Sequence, residues 1–336
     1  MKKTKRKLVL VTGGAGYIGS VTSKLLIENN YEVIILDNLT TGRINAIPPG
    51  AEFIKGDIGD IGLLRKVFKK YKFDCVMHFA SLISVEESIK NPEKYFKNNV
   101  VAGMNLLQEM VATGSCKKVV FSSSAAVYGA STQIPINEES PLNPLNPYGQ
   151  TKKIFELFLK AYADAKVINC TILRYFNAAG AYITNKGIWG EDHKPETHLI
   201  PLLLKSAMER KKITINGNDY PTPDGTCIRD YIHVYDVAMA HILAMKKMKP
   251  GFAVYNVGTG IGYSNLEVLQ MAQQITGQKI NYKIGRRRAG DCAILIADVE
   301  KIKRELGFMP EKSDLKTIIQ DAWIFSQSQF AKRNTK

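Results

Sequence analysis

The stretch Leu8-Val-Leu-Val-Thr12-Gly13-Gly-Ala-Gly16-Tyr-Ile-Gly19-Ser20, with the residues that follow it to Asn38, decides the fold. Leu8–Val11 is a short β-branched and leucine run, the pattern of a buried strand. It breaks at Thr12-Gly13-Gly14, and Gly13, Gly16 and Gly19 follow at three-residue spacing. From Ser20 to Asn30 the pattern is helical, with Val21, Leu25 and Leu26 on one face. Tyr31–Leu36 reads as a second strand ending at Asp37-Asn38. In such a strand–turn–helix–strand unit one glycine makes the tight turn, one admits backbone to a pyrophosphate, and one lets the helix pack on the strand. The phosphate sits at the positive helix N-terminus. Asp37 stands where a carboxylate bonds a ribose 2′-hydroxyl and repels a 2′-phosphate, so the unit favours NAD over NADP.

Beyond this unit strands and helices keep alternating. Ala51–Lys55 is a third strand leading into Gly56-Asp57-Ile58, and Asp57 can accept from an exocyclic amine of adenine. A helix is expected at Leu63–Tyr71, a buried strand at Cys75–Ala80, a long helix at Tyr95–Thr113 and a fifth strand at Lys118–Ser122. The Ala80-Ser81 strand end falls beside the cofactor. His78 lies inside an apolar run and reads as a core histidine. Pro135, Pro141, Pro144 and Pro147 mark a loop, since each fixes φ. A helix follows from Gly149 to about Ala163, then a strand at Val167–Tyr175. The expected fold is α/β: a Rossmann-type doubly wound parallel sheet over residues 1–177, with ligand at the carboxyl ends of its strands. After Asn177 the alternation ends. Ala178–Glu196 and 216–231 read as loops, and helices are expected at His198–Lys211, Asp236–Met248, Asn265–Thr276 and Leu315–Gln327. Residues 178–336 are expected to form a smaller α+β substrate-binding domain, with some segments returning to the sheet domain.

Composition narrows the classes. The 336 residues can bury a large core, and 45% hydrophobic residues is ordinary for a globular chain. No apolar run approaches the ~20 residues of a membrane span. The basic start Lys2–Lys7 resembles a signal-peptide opening, but the apolar run behind it, Leu8–Val11, is too short for a secretory core. A cytoplasmic protein without a membrane partner is expected. Five scattered cysteines (Cys75, Cys116, Cys170, Cys227, Cys292) form no Cys-x-x-Cys, which points to neither a metal site nor a disulfide scaffold. The net charge of +15 comes partly from runs such as Lys2–Lys7, Arg210–Lys212 and Arg286–Arg288. A basic surface steers any anion, but no aromatic–basic nucleic-acid module accompanies it, so no nucleic-acid partner is expected.

Tyr148-Gly-Gln-Thr-Lys152 places a phenol and an ammonium one helical turn apart. The phenol is a poor base at its ordinary pKa of about 10. A nearby ammonium and a positive nicotinamide favour the phenolate, which can then take a hydroxyl proton as hydride leaves the same carbon. Ser124, at a strand end, can donate to the reacting oxygen.

Thr12–Gly19, Leu36-Asp-Asn38, Gly56-Asp-Ile58, His78-Phe-Ala80, Ser122-Ser-Ser-Ala-Ala-Val-Tyr-Gly129, Tyr148–Lys152, Arg174-Tyr-Phe-Asn177 and Arg229-Asp-Tyr-Ile-His-Val234 resemble the extended short-chain dehydrogenase/reductases. Gly217–Thr226 with Cys227–Val234 is similar to the UDP-hexose 4-epimerases within them. Sugar-nucleotide dehydratases carry an Asp-Glu pair beside the strand-end hydroxyl, whereas Ser123-Ser124-Ala125 carries no carboxylate. The resemblance implies inversion at C4 of a UDP-hexose through a 4-keto sugar, with tightly held NAD and no net redox change. It implies Tyr148, Lys152 and Ser124 as the catalytic residues. NAD contacts would come from Gly13, Gly16, Tyr17, Ile18, Gly19, Asp37, Asn38, Asp57, Ile58, Phe79, Ala80, Ser81, Asn98, Ser122, Tyr148, Lys152 and Phe176. Substrate contacts would come from Ser124, Tyr148, Asn177, His198, Leu199, Asn216, Arg229, Arg288, Asp291 and Leu295. Arg229 and Arg288 suit the diphosphate, Asp291 the uridine ribose, and Asn177 a pyrophosphate or sugar group. Four positions depart from the family pattern. Ile83 replaces a lysine, His198 an asparagine, Asn216 an aromatic under the uracil, and Leu295 a tyrosine at the position that gates sugar size. The smaller Leu295 leaves room for N-acetylated sugars. Family members commonly form homodimers through two sheet-domain helices, here 95–113 and 149–163. UDP-N-acetylhexosamine or pentose epimerisation, and an NAD-binding sensor without turnover, remain the competing readings.

Overall fold

The computed structural model describes residues 6–131, 133–288 and 290–334; Lys2–Lys5 of the basic run lie outside them. In chain order the elements are β1 (Leu8–Thr12), α1 (Tyr17–Glu28), β2 (Glu32–Asp37), β3 (Glu52–Lys55), α2 (Ile61–Lys70), β4 (Cys75–His78), α3 (Val85–Lys90), α4 (Pro92–Phe96), α5 (Ala102–Ala112), β5 (Lys118–Ser124), α6 (Pro147–Asp164), β6 (Asn169–Tyr175) and β7 (Asn177–Ala179). There follow β8 (Ala181–Thr184), β9 (Gly187–Gly190), α7 (Leu199–Glu209), β10 (Ile213–Asn216), β11 (Ile228–His233), α8 (Val234–Lys246), β12 (Phe252–Val257), β13 (Gly262–Ser264), α9 (Asn265–Thr276), β14 (Tyr282–Gly285), β15 (Ile294–Leu295), α10 (Glu300–Leu306) and α11 (Leu315–Asn334). They group into two compact units that interleave along the chain. Unit 1 holds residues 1–127, 144–174 and 238–255, and unit 2 holds 128–143, 175–237 and 256–336.

Unit 1 is built on a seven-stranded sheet in the order β12-β6-β5-β4-β1-β2-β3, with parallel pairing from β3 through β5. The strands are apolar on both faces because helices cover both, as a parallel sheet requires. Leu10, Ile34, Val76, Val119, Phe121 and Ile172 form the core from the sheet side, with Leu64, Phe68, Leu106, Leu107 and Phe155 from the helices. After β1 the chain adds β2 and β3 on one side, then crosses to β4 on the other. That reversal opens the crevice at the carboxyl ends of β1 and β4 where doubly wound sheets bind ligand.

Unit 2 carries a small sheet in which β11 pairs with β7, β13 and β15, two two-stranded pieces (β10–β14 and β8–β9), and a core of Leu203, Leu204, Val268, Leu269, Ile318 and Ile319 from α7, α9 and α11. Three expectations change here. Ala178–Glu196 is not all loop but contains β7 and the antiparallel β8–β9 hairpin. The loop at 216–231 ends at Cys227, because 228–233 is the central strand of its sheet. In unit 1 the helix expected at Tyr95–Thr113 is interrupted by a wide turn at Lys97–Val101. Among the described residues no helix is long and apolar enough to cross a membrane. All five cysteines are free thiols.

Candidate active site

The glycine turn after β1 is fixed by backbone. Gly13 adopts φ +73, its N–H binds Leu36 O at 2.9 Å, and its O accepts from Gly16 N at 3.1 Å. A Cβ on Gly13 would lie 2.5 Å from Ala80 N. The ends of β1 and β4 therefore meet with no room for a side chain. Gly16 caps α1 without a side chain, and Tyr17, Ile18 and Gly19 form a first turn without an acid, so this helix N-terminus is shaped for an anion. Asp37 ends β2 at 8% exposure. Its carboxylate accepts from Ala15 N at 3.0 Å and Leu39 N at 2.8 Å, and burial raises its pKa against those two bonds. Arg43 is tied to the same turn through its N–H to Ala15 O. Asn38 donates to Asp57 at 2.7 Å, and Asp57 also accepts from Gly59 N. Ile58 is buried; Ser81 Oγ donates to Leu82 O; Phe79 stacks at 4.5 Å on His241. These residues fit a dinucleotide: the turn takes only backbone, the helix end takes an anion, and the carboxylate retains acceptor capacity for a ribose.

Helix α6, which carries Tyr148 and Lys152, is placed by its own first turn. Asn146 accepts from Gly149 N at 2.9 Å, and Pro147 opens α6. Gly149 touches the chain after β5 so closely that a Cβ would lie 2.6 Å from Ala126 O. Tyr148 is thereby held beside Ser124, to which it is hydrogen-bonded. One turn later, Lys152 Nζ donates to Ser122 O at 2.8 Å. One turn later again, Glu156 accepts from Ser123 Oγ and makes a forked ion pair with Arg174, at 2.6 Å from Nη2 and 3.0 Å from Nε. Three successive serines of β5 thus meet three successive turns of α6. Burial raises the Tyr148 pKa against its bond to Ser124. Burial also lowers the Lys152 pKa to about 7, with Glu156 opposing. Lys152 Nζ lies 5.8 Å from the centre of the Tyr148 ring, and burial is the first cause of both shifts. His78 is neutral: burial, with Lys152, lowers its pKa to about 3, and Nδ1 meets Thr12 Oγ1 at 2.8 Å. Asn98 donates to Asn99, whose amide bonds both Leu82 backbone groups and Thr151. Sequence reasoning missed Asn99, Glu156 and Arg174. The signal for Glu156 was its place four residues after Lys152 on an otherwise apolar face.

In unit 2, Arg229 on β11 faces Asp291 at 3.7 Å, donates to Ile228 O at 2.9 Å, and is in register with Leu295 on β15. Asn177 on β7 pairs with Tyr231 of the same sheet and donates to Asp230 O. Arg229, Leu295 and Asn177 share one sheet, and Asp291 lies in the loop that leads into β15. Asn216 ends β10, Arg288 is exposed in the loop after β14, and Phe176 is buried, its N–H on Val257 O. Leu199 opens α7. His198 precedes it but makes no side-chain cap; its Nδ1 lies 2.6 Å from Glu191 Oε1 and 3.3 Å from Glu196 Oε1. Ile83 is exposed, as a surface replacement for a lysine can be.

A glycine turn with an acid at the next strand end and a Ser–Tyr–Lys set at the end of β5 defines a nucleotide-dependent short-chain dehydrogenase-type enzyme. The sequence profile of the NAD dependent epimerase/dehydratase family matches residues 9–258, and the chain belongs to that family. It is 48% identical over 324 residues to the UDP-glucose 4-epimerase of Lactobacillus helveticus, covering 95% of this chain and 97% of that protein. The crystal structure of UDP-glucose 4-epimerase from Brucella ovis in complex with NAD superposes with a TM-score of 0.90 at 44% identity, over 95% of this chain and 98% of that one. The UDP-Glc/GlcNAc 4-epimerase from Campylobacter jejuni superposes with a TM-score of 0.83 at 37% identity, over 96% and 99%.

Proposed function

We propose that this protein interconverts UDP-galactose and UDP-glucose by inversion at C4, with NAD resident in unit 1 and no net redox change. The observation that carries the reading is the Ser124–Tyr148–Lys152 set at the end of β5, in the same sheet as the Gly13 turn. When bound, NAD accepts the C4 hydride and gives it back to the opposite face of the sugar. Tyr148 Oη takes the proton of the 4-hydroxyl and later returns it, and the Ser124 hydroxyl holds the reacting oxygen. Lys152, fixed on Ser122 O, keeps positive charge beside the phenol when a second positive charge favours the phenolate. In unit 2, Arg229 presents a planar fork suited to the diphosphate, and Asp291 orients it and serves the uridine ribose. Asn177, Leu199, Asn216 and Arg288 complete the grip on UDP, so the nucleotide stays fixed while the 4-keto sugar presents either face. Free, mostly buried thiols agree with a cytoplasmic setting.

The chain works as a homodimer through α5 and α6. Of the apolar residues on these helices, Leu106, Leu107 and Phe155 belong to the core, whereas Val101 just before α5, with Ile154 and Leu157 on α6, are 51%, 40% and 55% exposed and form the face to be covered.

The test is purified protein with UDP-galactose and no added NAD, followed by proton NMR. UDP-glucose is expected to appear without accumulating NADH; no conversion overturns the reading. The partly buried Leu295, in register with Arg229, favours a second activity on UDP-N-acetylglucosamine. Leu295→Tyr is then expected to abolish turnover of that sugar and keep the glucose–galactose pair. If wild type neither turns over UDP-N-acetylglucosamine nor is inhibited by it, the second activity is refuted.

A further inference from the structure

Eight residues of unit 2 bring four metal-ligating side chains to one point. Between Gly190, which ends β9, and Leu199, which opens α7, the chain reads Glu191-Asp-His193-Lys-Pro-Glu196-Thr-His198. One ligating atom from each of Glu191, His193, Glu196 and His198 lies within 4.8 Å of the other three. His193 Nδ1 is 3.0 Å from Glu191 Oε1, the same oxygen that His198 Nδ1 meets at 2.6 Å. The Glu191, His193 and Glu196 side chains are 6%, 19% and 13% exposed, and His198, at 48%, forms the open side of the cluster. Glu196 Oε1, which lies 3.3 Å from His198 Nδ1, is held by the N–H groups of Thr197 at 2.7 Å and His198 at 2.8 Å. Backbone support of this kind is what a ligating carboxylate receives from its outer shell.

The donor set selects the ion. Calcium and magnesium take oxygen ligands, whereas two imidazoles with two carboxylates suit zinc. Two carboxylate charges also neutralise a divalent cation. A hairpin strand at one end and a helix at the other hold the ligands close before any ion arrives.

We propose that Glu191, His193, Glu196 and His198 form a structural zinc site that fixes the segment between β9 and α7. Four protein ligands close the tetrahedron, so the ion secures the segment and offers no position for a reacting water. Both imidazoles ligate as neutral groups and both carboxylates as anions. The site lies wholly within unit 2 and does not rest on the epimerase reading.

The test uses the full chain, stripped with EDTA and dialysed free of chelator. Zinc is titrated by calorimetry, metal content is measured after gel filtration, and melting is followed with and without zinc. One zinc per chain and a zinc-dependent rise in melting temperature are expected. His193→Ala and Glu191→Gln are each expected to weaken zinc by more than the about 10–100-fold that loss of an outer-shell partner costs. Equal circular dichroism of stripped wild type and stripped variants shows that the variants fold. Absence of retained zinc in wild type overturns the proposal. So does stoichiometric zinc held equally by the His193→Ala/Glu191→Gln double variant, since the ion would then sit elsewhere.

Discussion

Glu156→Gln is the perturbation that tests the packing beneath the active site. Its carboxylate and the Arg174 guanidinium are 3% and 5% exposed, and two Arg174 nitrogens engage it at 2.6–3.2 Å. Removing one charge leaves a buried guanidinium without its counter-ion, which costs about 3–5 kcal/mol. The glutamine oxygen still accepts one bond, so the low end, about 3 kcal/mol, is expected. Glu156→Leu with Arg174→Met removes both charges and is expected to recover to within about 1–2 kcal/mol of wild type, the remainder being the lost Ser123 bond. Urea midpoints by circular dichroism for Glu156→Leu, Arg174→Met and the double variant, compared at constant slope, complete a double-mutant cycle. A cost below about 1 kcal/mol for Glu156→Gln, or additive single costs in the cycle, would refute the reasoning.

Tyr148→Phe is expected to lower turnover by about 10²–10⁴-fold with UDP affinity retained, checked by initial rates and calorimetry with UDP. Gly13→Ala puts a Cβ against the Ala80 backbone at positive φ, so protein without bound NAD is expected; chromatography of the denatured supernatant measures it. Glu156→Gln also removes the negative charge that opposes desolvation of Lys152, so the Lys152 ammonium is lost at lower pH. The alkaline limb of the kcat profile should move down in pH, and an unmoved limb would contradict this. His78 is neutral in the fold, with a pKa of about 3, whereas the unfolded chain takes its proton below about 6.5. Stability therefore falls as pH drops through that window, by about 2 kcal/mol between pH 6.5 and 5. His78→Gln should flatten that part of the urea-midpoint profile.

Residues 8–38 were legible because a buried strand, a glycine turn and an acid at a strand end each leave a local mark. Asn265–Thr276 was legible to the residue because Ser264 and Glu267 form a capping box there. The β8–β9 hairpin was not, since its four-residue strands are short and each buries a single residue, Ala181 and Trp189, so neither shows an alternating apolar pattern. Nor was β11. Asp230 is fully buried there only because Thr259, Gly260 and Ala297, far along the chain, donate to it. The wide turn at Lys97–Val101 inserts into a helix whose apolar period continues past it. In the site, the placing of Tyr148 and Lys152 one helical turn apart could be read from spacing, but their burial, which decides both pKa directions, could not. The Glu191–His198 cluster carries no cysteine pair, and its convergence depends on the fold at both ends of the segment.

The most direct measurement is epimerisation of UDP-galactose carrying deuterium at C4, in ordinary water with no added NAD, read by NMR. The account predicts UDP-glucose with deuterium still at C4, because the hydrogen leaves and returns as hydride within the same site. UDP-glucose with the label washed out to solvent would contradict it.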